Sequence, residues 1–423
     1  TSLGKAAAGK VRMITEWQEN LAVRYEAPEL RSMLEEFEQR YGGIEFYYLR
    51  VKTEMDMLKK AMEKAGSADP QAVAFALEDM SIETPFGKVY GTNITPDDEY
   101  GIGDYSADDF YHVLTQGELP DGTQLYPAMP YTSYHDIARE DSDAMYAYFM
   151  NLDGVHVQSK QTDLSWPYSM RWTLNFWNWM YAPDDDAGQR RAADNQRGRY
   201  LVDTLGHCGQ CHTPRGRLGA LKRDRHLQGA VIAGWQAPSL EAEALAARGW
   251  DDASLREFMR EGRSRQGSMY SEMYPVFHHS TRYLDEDDLK AMSRYLLGEN
   301  PPAAAHVAQT TAVDDSPGRQ LYLNSCAGCH GADGEGTPHV ASAMTTNTAL
   351  RLDSPRNLVK IIHDGIDARA FTGYERVQAM PGFGDALSDP EIAKLATYLR
   401  RRWGGQQSVV EADDVAELTG ASD

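Results

Sequence analysis

Two short patterns in this chain have the residue types and spacing for redox chemistry: Cys208-x-x-Cys211-His212 and Cys326-x-x-Cys329-His330. Two cysteine sulfurs three positions apart can add to the two vinyl groups of one haem. The histidine that follows can then put a ring nitrogen on the iron. These four cysteines are all the chain contains, so no thiol is left over for a disulfide. A zinc site or a redox-active cysteine pair would use the same C-x-x-C spacing. Either would leave the adjacent histidines, and the methionines that recur downstream, unexplained. The spacing predicts two covalently bound haem c groups, held by Cys208, Cys211, Cys326 and Cys329, with His212 and His330 on iron.

Cytochrome iron often takes methionine as its sixth ligand. Met380, in Ala379-Met380-Pro381-Gly382-Phe383, stands in a loop just before a helical pattern and is the expected ligand for the second haem. For the first haem both Met269 and Met273 offer a thioether, and Met273 has the better spacing to the following helix. A core-filling role is the alternative for each methionine. His278 and His279 could compete as ligands, but are expected to flank the pocket or face solvent. Around the first motif, the Pro214 carbonyl is expected to accept the other ring N–H of His212. Arg215 is expected to pair with a haem propionate, and Trp235 to cover a haem edge.

The elements that must position these groups repeat. Three helical segments end in glycine: Ser106 to Gly117, Asp251 to Gly262 and Ser354 to Gly365. Each opens on a small or acidic residue, as an N-cap would. A methionine follows each (Met129, Met273 and Met380), then a second amphipathic helix ending near Tyr148, Tyr295 or Tyr398. Only the second and third repeats follow a cysteine motif. The fold expected is mainly α: tandem cytochrome c domains, two haem-bearing and one haemless, behind a small α/β segment. The boundaries read are 1–90 for the α/β segment, 91–182 for the haemless domain, 183–300 and 301–405 for the haem domains, and 406–423 for a loose acidic tail. Linkers fall at Pro183-Asp184-Asp185-Asp186 and at Pro301-Pro302-Ala303-Ala304-Ala305.

Composition narrows the partners. With 42% hydrophobic residues the chain can build cores. A formal charge of -21 excludes the basic stripe that nucleic acid requires and disfavours an anionic membrane surface. No run of 18 apolar residues is present, so no membrane-spanning anchor is expected. The most apolar stretch, Trp172 to Ala182, is short and broken by Asn175 and Asn178. No leader is read at Thr1, and a processed chain in the periplasm is the expectation.

From about Thr84 to Gly405 the chain resembles the three-haem cytochrome c subunit of bacterial membrane-associated dehydrogenases. The resemblance runs through Thr84-Pro85-Phe86-Gly87, Thr92 to Pro96, Leu125 to Tyr131, Cys208 to Gly219, Gly234 to Pro238, Cys326 to Gly331 and Met380 to Gly405. It implies an electron-transfer subunit, not an enzyme by itself. Such a subunit takes electrons from a catalytic quinoprotein or flavoprotein dehydrogenase, with an alcohol dehydrogenase favoured. It passes them to quinone or another respiratory carrier. The family's first C-x-x-C-H is missing here, so no covalent haem is expected beside Met129. In its place, Lys59 to Phe86 resembles the C-terminal part of periplasmic solute-binding proteins of the branched-chain amino-acid type. Leu30, Met33, Leu34, Phe37 and Tyr41 read there as a helix, Ile44 to Val51 as a strand, and Met55, Leu58 and Met62 as a second helix. Asp69-Pro70 opens a third. Such a fragment is too short for a two-lobed clamp and is expected to serve docking or dimerisation. Two other readings stay open: a freely diffusing di-haem carrier, and a di-haem peroxidase. The methionine offered to both haems argues against the peroxidase. No Rossmann, phosphate-loop or hydrolase motif is present.

Overall fold

The computed structural model describes residues 81–84, 87–166, 168–183, 197–307, 309, 310, 313, 316–338, 340–371 and 376–420. The helices and strand expected between Leu30 and Pro70 lie outside the described residues. The described chain is mainly helical with a few small antiparallel sheets. Two compact units form: Thr1–Tyr105 with Tyr146–Met170, and Ser106–Met145 with Arg171–Asp423.

In the first unit, strand Gly87–Tyr90 pairs antiparallel with Ser81–Thr84 and with Asp163–Leu164. The loop after it is closed by side chains, which take over where no strand partner is available. Asn93 donates to the Val155 carbonyl at 2.6 Å and accepts from the Thr95 hydroxyl at 2.7 Å. That hydroxyl in turn accepts from Val155 N–H at 2.9 Å.

The second unit contains the three glycine-ended helices, Ala107–Gln116, Asp252–Glu261 and Arg356–Asp364. Ser106 and Asp251 cap the first two, each with a reciprocal bond from the residue three further on. The third starts after Pro355 rather than at Ser354, whose hydroxyl still accepts from Arg356 N–H at 3.2 Å.

Each cysteine motif is framed by a pair of crossing helices. Arg197–Arg199 continues into a π-helical turn, Tyr200–Leu205, and meets Glu286–Leu297 at Gly198. Helix Pro317–Ser325 meets Asp389–Arg402 at Gly318. A Cβ at Gly198 would stand 2.0 Å from the Ala291 carbonyl oxygen, and one at Gly318 2.5 Å from that of Lys394. Only glycine permits either crossing. Leu201, Val202, Leu255, Met259 and Leu289 fill the first core, and Tyr322, Val359, Ile362, Leu395 and Trp403 the second. Each such side chain contributes roughly 1.5–3 kcal/mol by leaving water.

The expected loose acidic arm is corrected. Residues Ala412–Gly420 form a helix, and Val410, Val415 and Leu418 are buried in the second core. Three apolar residues among the acids are enough to dock it, and Thr397 exchanges hydrogen bonds with the Val410 backbone.

Candidate functional site

At both motifs the backbone makes one helical turn, Gly209–His212 and Ala327–His330. The N–H groups of Cys211 and His212 donate to the Cys208 carbonyl at 3.2 and 2.9 Å. Those of Cys329 and His330 donate to the Cys326 carbonyl at 3.2 and 3.0 Å. Positions i, i+3 and i+4 of a turn share a face. Two thiols and one imidazole are thus presented together, twice, on the same backbone. All four thiols are free of disulfides.

The histidines are held alike. His212 Nδ1 lies 2.7 Å from the Pro238 carbonyl, and His330 Nδ1 2.9 Å from that of Ser342. A carbonyl only accepts, so each Nδ1 carries the proton and each Nε2 keeps its lone pair for a metal. Burial pushes both imidazoles below the ordinary histidine range, opposed by these bonds. Both therefore stay neutral, as an iron ligand must. The acceptor is Pro238, not Pro214. The Pro214 carbonyl is used inside its own loop, taking the Lys222 N–H at 2.8 Å. Pro238 is delivered by the hairpin of Ala230–Ile232 and Trp235–Ala237, anchored where Gly229 N–H meets the His212 carbonyl at 2.7 Å.

Burial pushes the Cys208 thiol up to about 12 and Cys326 up to about 11. Cys211 is raised mainly by burial, with Arg215 opposing and Glu272 adding. Met273 itself opens the helix Met273–His279 and is half-buried, whereas Met269 is 1% exposed in a cluster with Tyr274, Phe277 and Phe371. Met380 exchanges backbone hydrogen bonds with Ile366, just past Gly365. His278 stacks on Tyr274, with Nδ1 3.2 Å from Arg282.

Arg215 is exposed and folds onto its own loop, donating to the Gly219 carbonyl at 2.8 Å and to Gln210 Oε1 at 2.7 Å. Trp235 stands edge-on to Tyr270 at 5.4 Å, with Lys360 Nζ 5.3 Å from its ring centre. This is the seam between the two cysteine-bearing segments. Asn357 is its buried clasp: it accepts from Gln236 N–H at 2.8 Å and donates to the Gln236 carbonyl at 2.9 Å and the Tyr270 hydroxyl at 3.0 Å. Tyr274 adds a bond to the Ala370 carbonyl at 2.8 Å. Neither Ser342 nor Asn357 stood out in the sequence, and Pro238 did so only as the end of the Gly234 to Pro238 segment with no role attached, since each acts through backbone or across segments.

The donor set suits a covalent haem: free thiols on one turn and a preset imidazole beside them. Among the described residues no three His, Cys, Asp or Glu side chains gather to hold a bare metal ion.

Comparison with known proteins agrees. Residues 316–403 match the cytochrome c family, and residues 1–105 match the periplasmic binding protein family. The chain is 38% identical to the gluconate 2-dehydrogenase cytochrome c subunit of Pantoea cypripedii, over 80% of this chain and 82% of that one. It is 35% identical to the cytochrome c subunit of the quinone alcohol dehydrogenase of Gluconobacter oxydans, over 81% and 77%. With the fructose dehydrogenase cytochrome subunit of Gluconobacter japonicus it shares 33% over 80% and 76%.

Proposed function

We propose that this chain, which belongs to the family of dehydrogenase cytochrome c subunits, is a periplasmic di-haem electron-transfer subunit. It takes electrons from a catalytic quinoprotein or flavoprotein dehydrogenase and passes them to quinone or another carrier. The observation that carries this reading is the duplicated site: two C-x-x-C-H turns with the same backbone bonds and the same Nδ1-to-carbonyl restraint.

Cys208 and Cys211 would hold one haem and Cys326 and Cys329 the other, with His212 and His330 as donors to iron. A bound haem supplies one-electron chemistry at iron. The residues of the chain supply everything else. The Pro238 and Ser342 carbonyls fix the imidazole planes, and the cores of Leu255 and Val359 exclude water. Met380 would supply the thioether donor to iron in the third repeat. In the second repeat, Met273 is favoured by analogy with the cysteine-free one. Leu125 N–H donates to the Gly117 carbonyl and Met269 N–H to that of Gly262, both at 2.7 Å. Four residues further on stand Met129 and Met273, in equivalent places. Arg215 and Trp235 are retained as residues beside the first haem.

Purification from the native host tests the subunit role. The chain is expected to bring a catalytic dehydrogenase with it, and that enzyme's substrate to bleach the oxidised haem spectrum. A chain that purifies alone and ignores sugars, sugar acids and alcohols would be a free carrier instead.

A further inference from the structure

The helix Trp172–Tyr181 turns its apolar face outward. Its inner side carries Leu174, Trp177, Asn178 and Tyr181, and polar bonds hold it in place. Asn178 accepts from the Tyr131 hydroxyl at 2.7 Å and donates to Gln124 Oε1 at 2.8 Å. The Trp177 indole N–H donates to the Leu218 carbonyl at 2.9 Å, and the Arg223 side chain donates to the Tyr181 carbonyl at 2.7 Å. The outer side, at i, i+4, i+7 and i+8, carries Trp172, Phe176, Trp179 and Met180, at 68%, 58%, 78% and 37% exposure. A helix on a globular surface normally does the reverse. Phe176 and Trp179 stack with ring centres 5.6 Å apart, and Trp172 lies one turn before them. Each such ring carries about 150–250 Å² of surface, and an exposed apolar patch of that combined size marks a binding surface.

The chain beside this patch is basic. The Leu218 carbonyl that takes the Trp177 bond lies in a loop with five exposed cations, Arg215, Arg217, Lys222, Arg223 and Arg225, against one acid, Asp224. Among the described residues none of the five forms an ion pair. In a chain of net charge -21, such a cluster is an exception that folding does not use. The loop also borders the first cysteine motif: Arg215 donates to Gln210 Oε1 at 2.7 Å, and Gln210 stands between Cys208 and Cys211.

We propose that this face seats the catalytic dehydrogenase subunit, through a complementary surface that is apolar at its centre and acidic at its edge. The inference rests on the subunit role proposed above. Aromatic residues, methionine and arginine are the side chains enriched where proteins meet. An aromatic stripe open to water suits a lasting subunit contact, not the small contact of a passing carrier. A lipid leaflet is a wide anionic plane that would meet the rest of this acidic chain as well as the patch. A protein footprint of about 800 Å² covers the patch alone. Seated there, the partner faces the first cysteine motif and not the second.

The test mixes the full-length, haem-loaded chain with the dehydrogenase that accompanies it in the native host, identified by its substrate. Trp172→Ser with Phe176→Ser and Trp179→Ser removes the stripe, and Arg217→Glu with Lys222→Glu reverses the rim. Tyr283→Ser changes an aromatic residue of 73% exposure elsewhere. Each variant is first checked for the parental haem count and for full reduction by dithionite. The reading is the chain concentration that gives half-maximal substrate-driven haem reduction. The stripe variant should raise it about tenfold or more. The rim variant should raise it at low salt and lose that effect at high salt. Tyr283→Ser should leave it unchanged. Stripe and rim variants that match the parent would overturn the proposal. A stripe variant that keeps the dehydrogenase but no longer sediments with phosphatidylglycerol vesicles would give the face to lipid and overturn it too. So would acrylamide quenching that fails to reach the stripe tryptophans in the chain alone, since the chain would then cover its own face. A parent that no dehydrogenase accompanies would instead sink the subunit role beneath.

Discussion

The stretch around Gly117 and the stretch around Gly262 share a scaffold and differ in what surrounds it. Both have a capped helix, a left-handed glycine (φ 68° and 72°), and a returning N–H at 2.7 Å that sets up a methionine four residues on. The Gly262 segment also carries a cysteine motif and a restrained histidine, while Gly262 itself packs on the Phe277 and Phe371 rings. Gly117 packs on an aromatic ring too, in a segment with no cysteine motif. Tyr131 packs against Gly117 at 1% exposure, donates to Asn178 Oδ1 at 2.7 Å, and meets Trp177 edge-on at 6.5 Å. The loop geometry is thus written locally, in caps and glycine, and does not need the cysteine motif. What sets the second and third repeats apart is a separate layer, the cysteine motif with its histidine.

The largest break in this comparison is removal of that layer. Cys208→Ala with Cys211→Ala, or Cys326→Ala with Cys329→Ala, should each lower the haem count from two to one, read from mass and from absorbance per protein. Gly262→Ala and Gly117→Ala come next. A Cβ at Gly262 would stand 2.7 Å from the Phe277 ring, and one at Gly117 2.5 Å from that of Tyr131. Strained φ and overpacking together should cost about 1–3 kcal/mol in each case. Denaturant melts should detect both losses, but only Gly262→Ala should also perturb a haem spectrum.

Tyr131→Phe sharpens the contrast further. It removes the hydrogen bond to Asn178 and should lower stability by about 1 kcal/mol, with no change in haem content or spectrum. A spectral change would mean that the aromatic filling of the first repeat supports a haem after all. The smallest effects are expected from Ser106→Ala and Asp251→Ala, about 1 kcal/mol each by loss of an N-cap. Near-equal values in thermal melts would support a scaffold independent of the cofactor.

The sequence carried the parts of the molecule that depend on short spacing. The C-x-x-C-H turns, the three glycine-ended helices and the methionine loops are local patterns, and all are legible in order. Pro238 was not legible, because the hairpin that swings its carbonyl over His212 is a tertiary event 26 residues away. Asn357 reaches across 121 residues to Gln236, and no periodicity announces such a clasp. The helix Ala412–Gly420 was hidden by its acidic composition, since Val415 and Leu418 reveal themselves only once there is a core to enter.

The most direct test is the number of covalent haems on the wild-type chain, measured by intact mass alongside the reduced-haem absorbance after expression with haem-attachment machinery. A mass increment of two haems, matched by the absorbance, is the predicted result. An increment of one or none, or a third haem in the absorbance, would contradict the account.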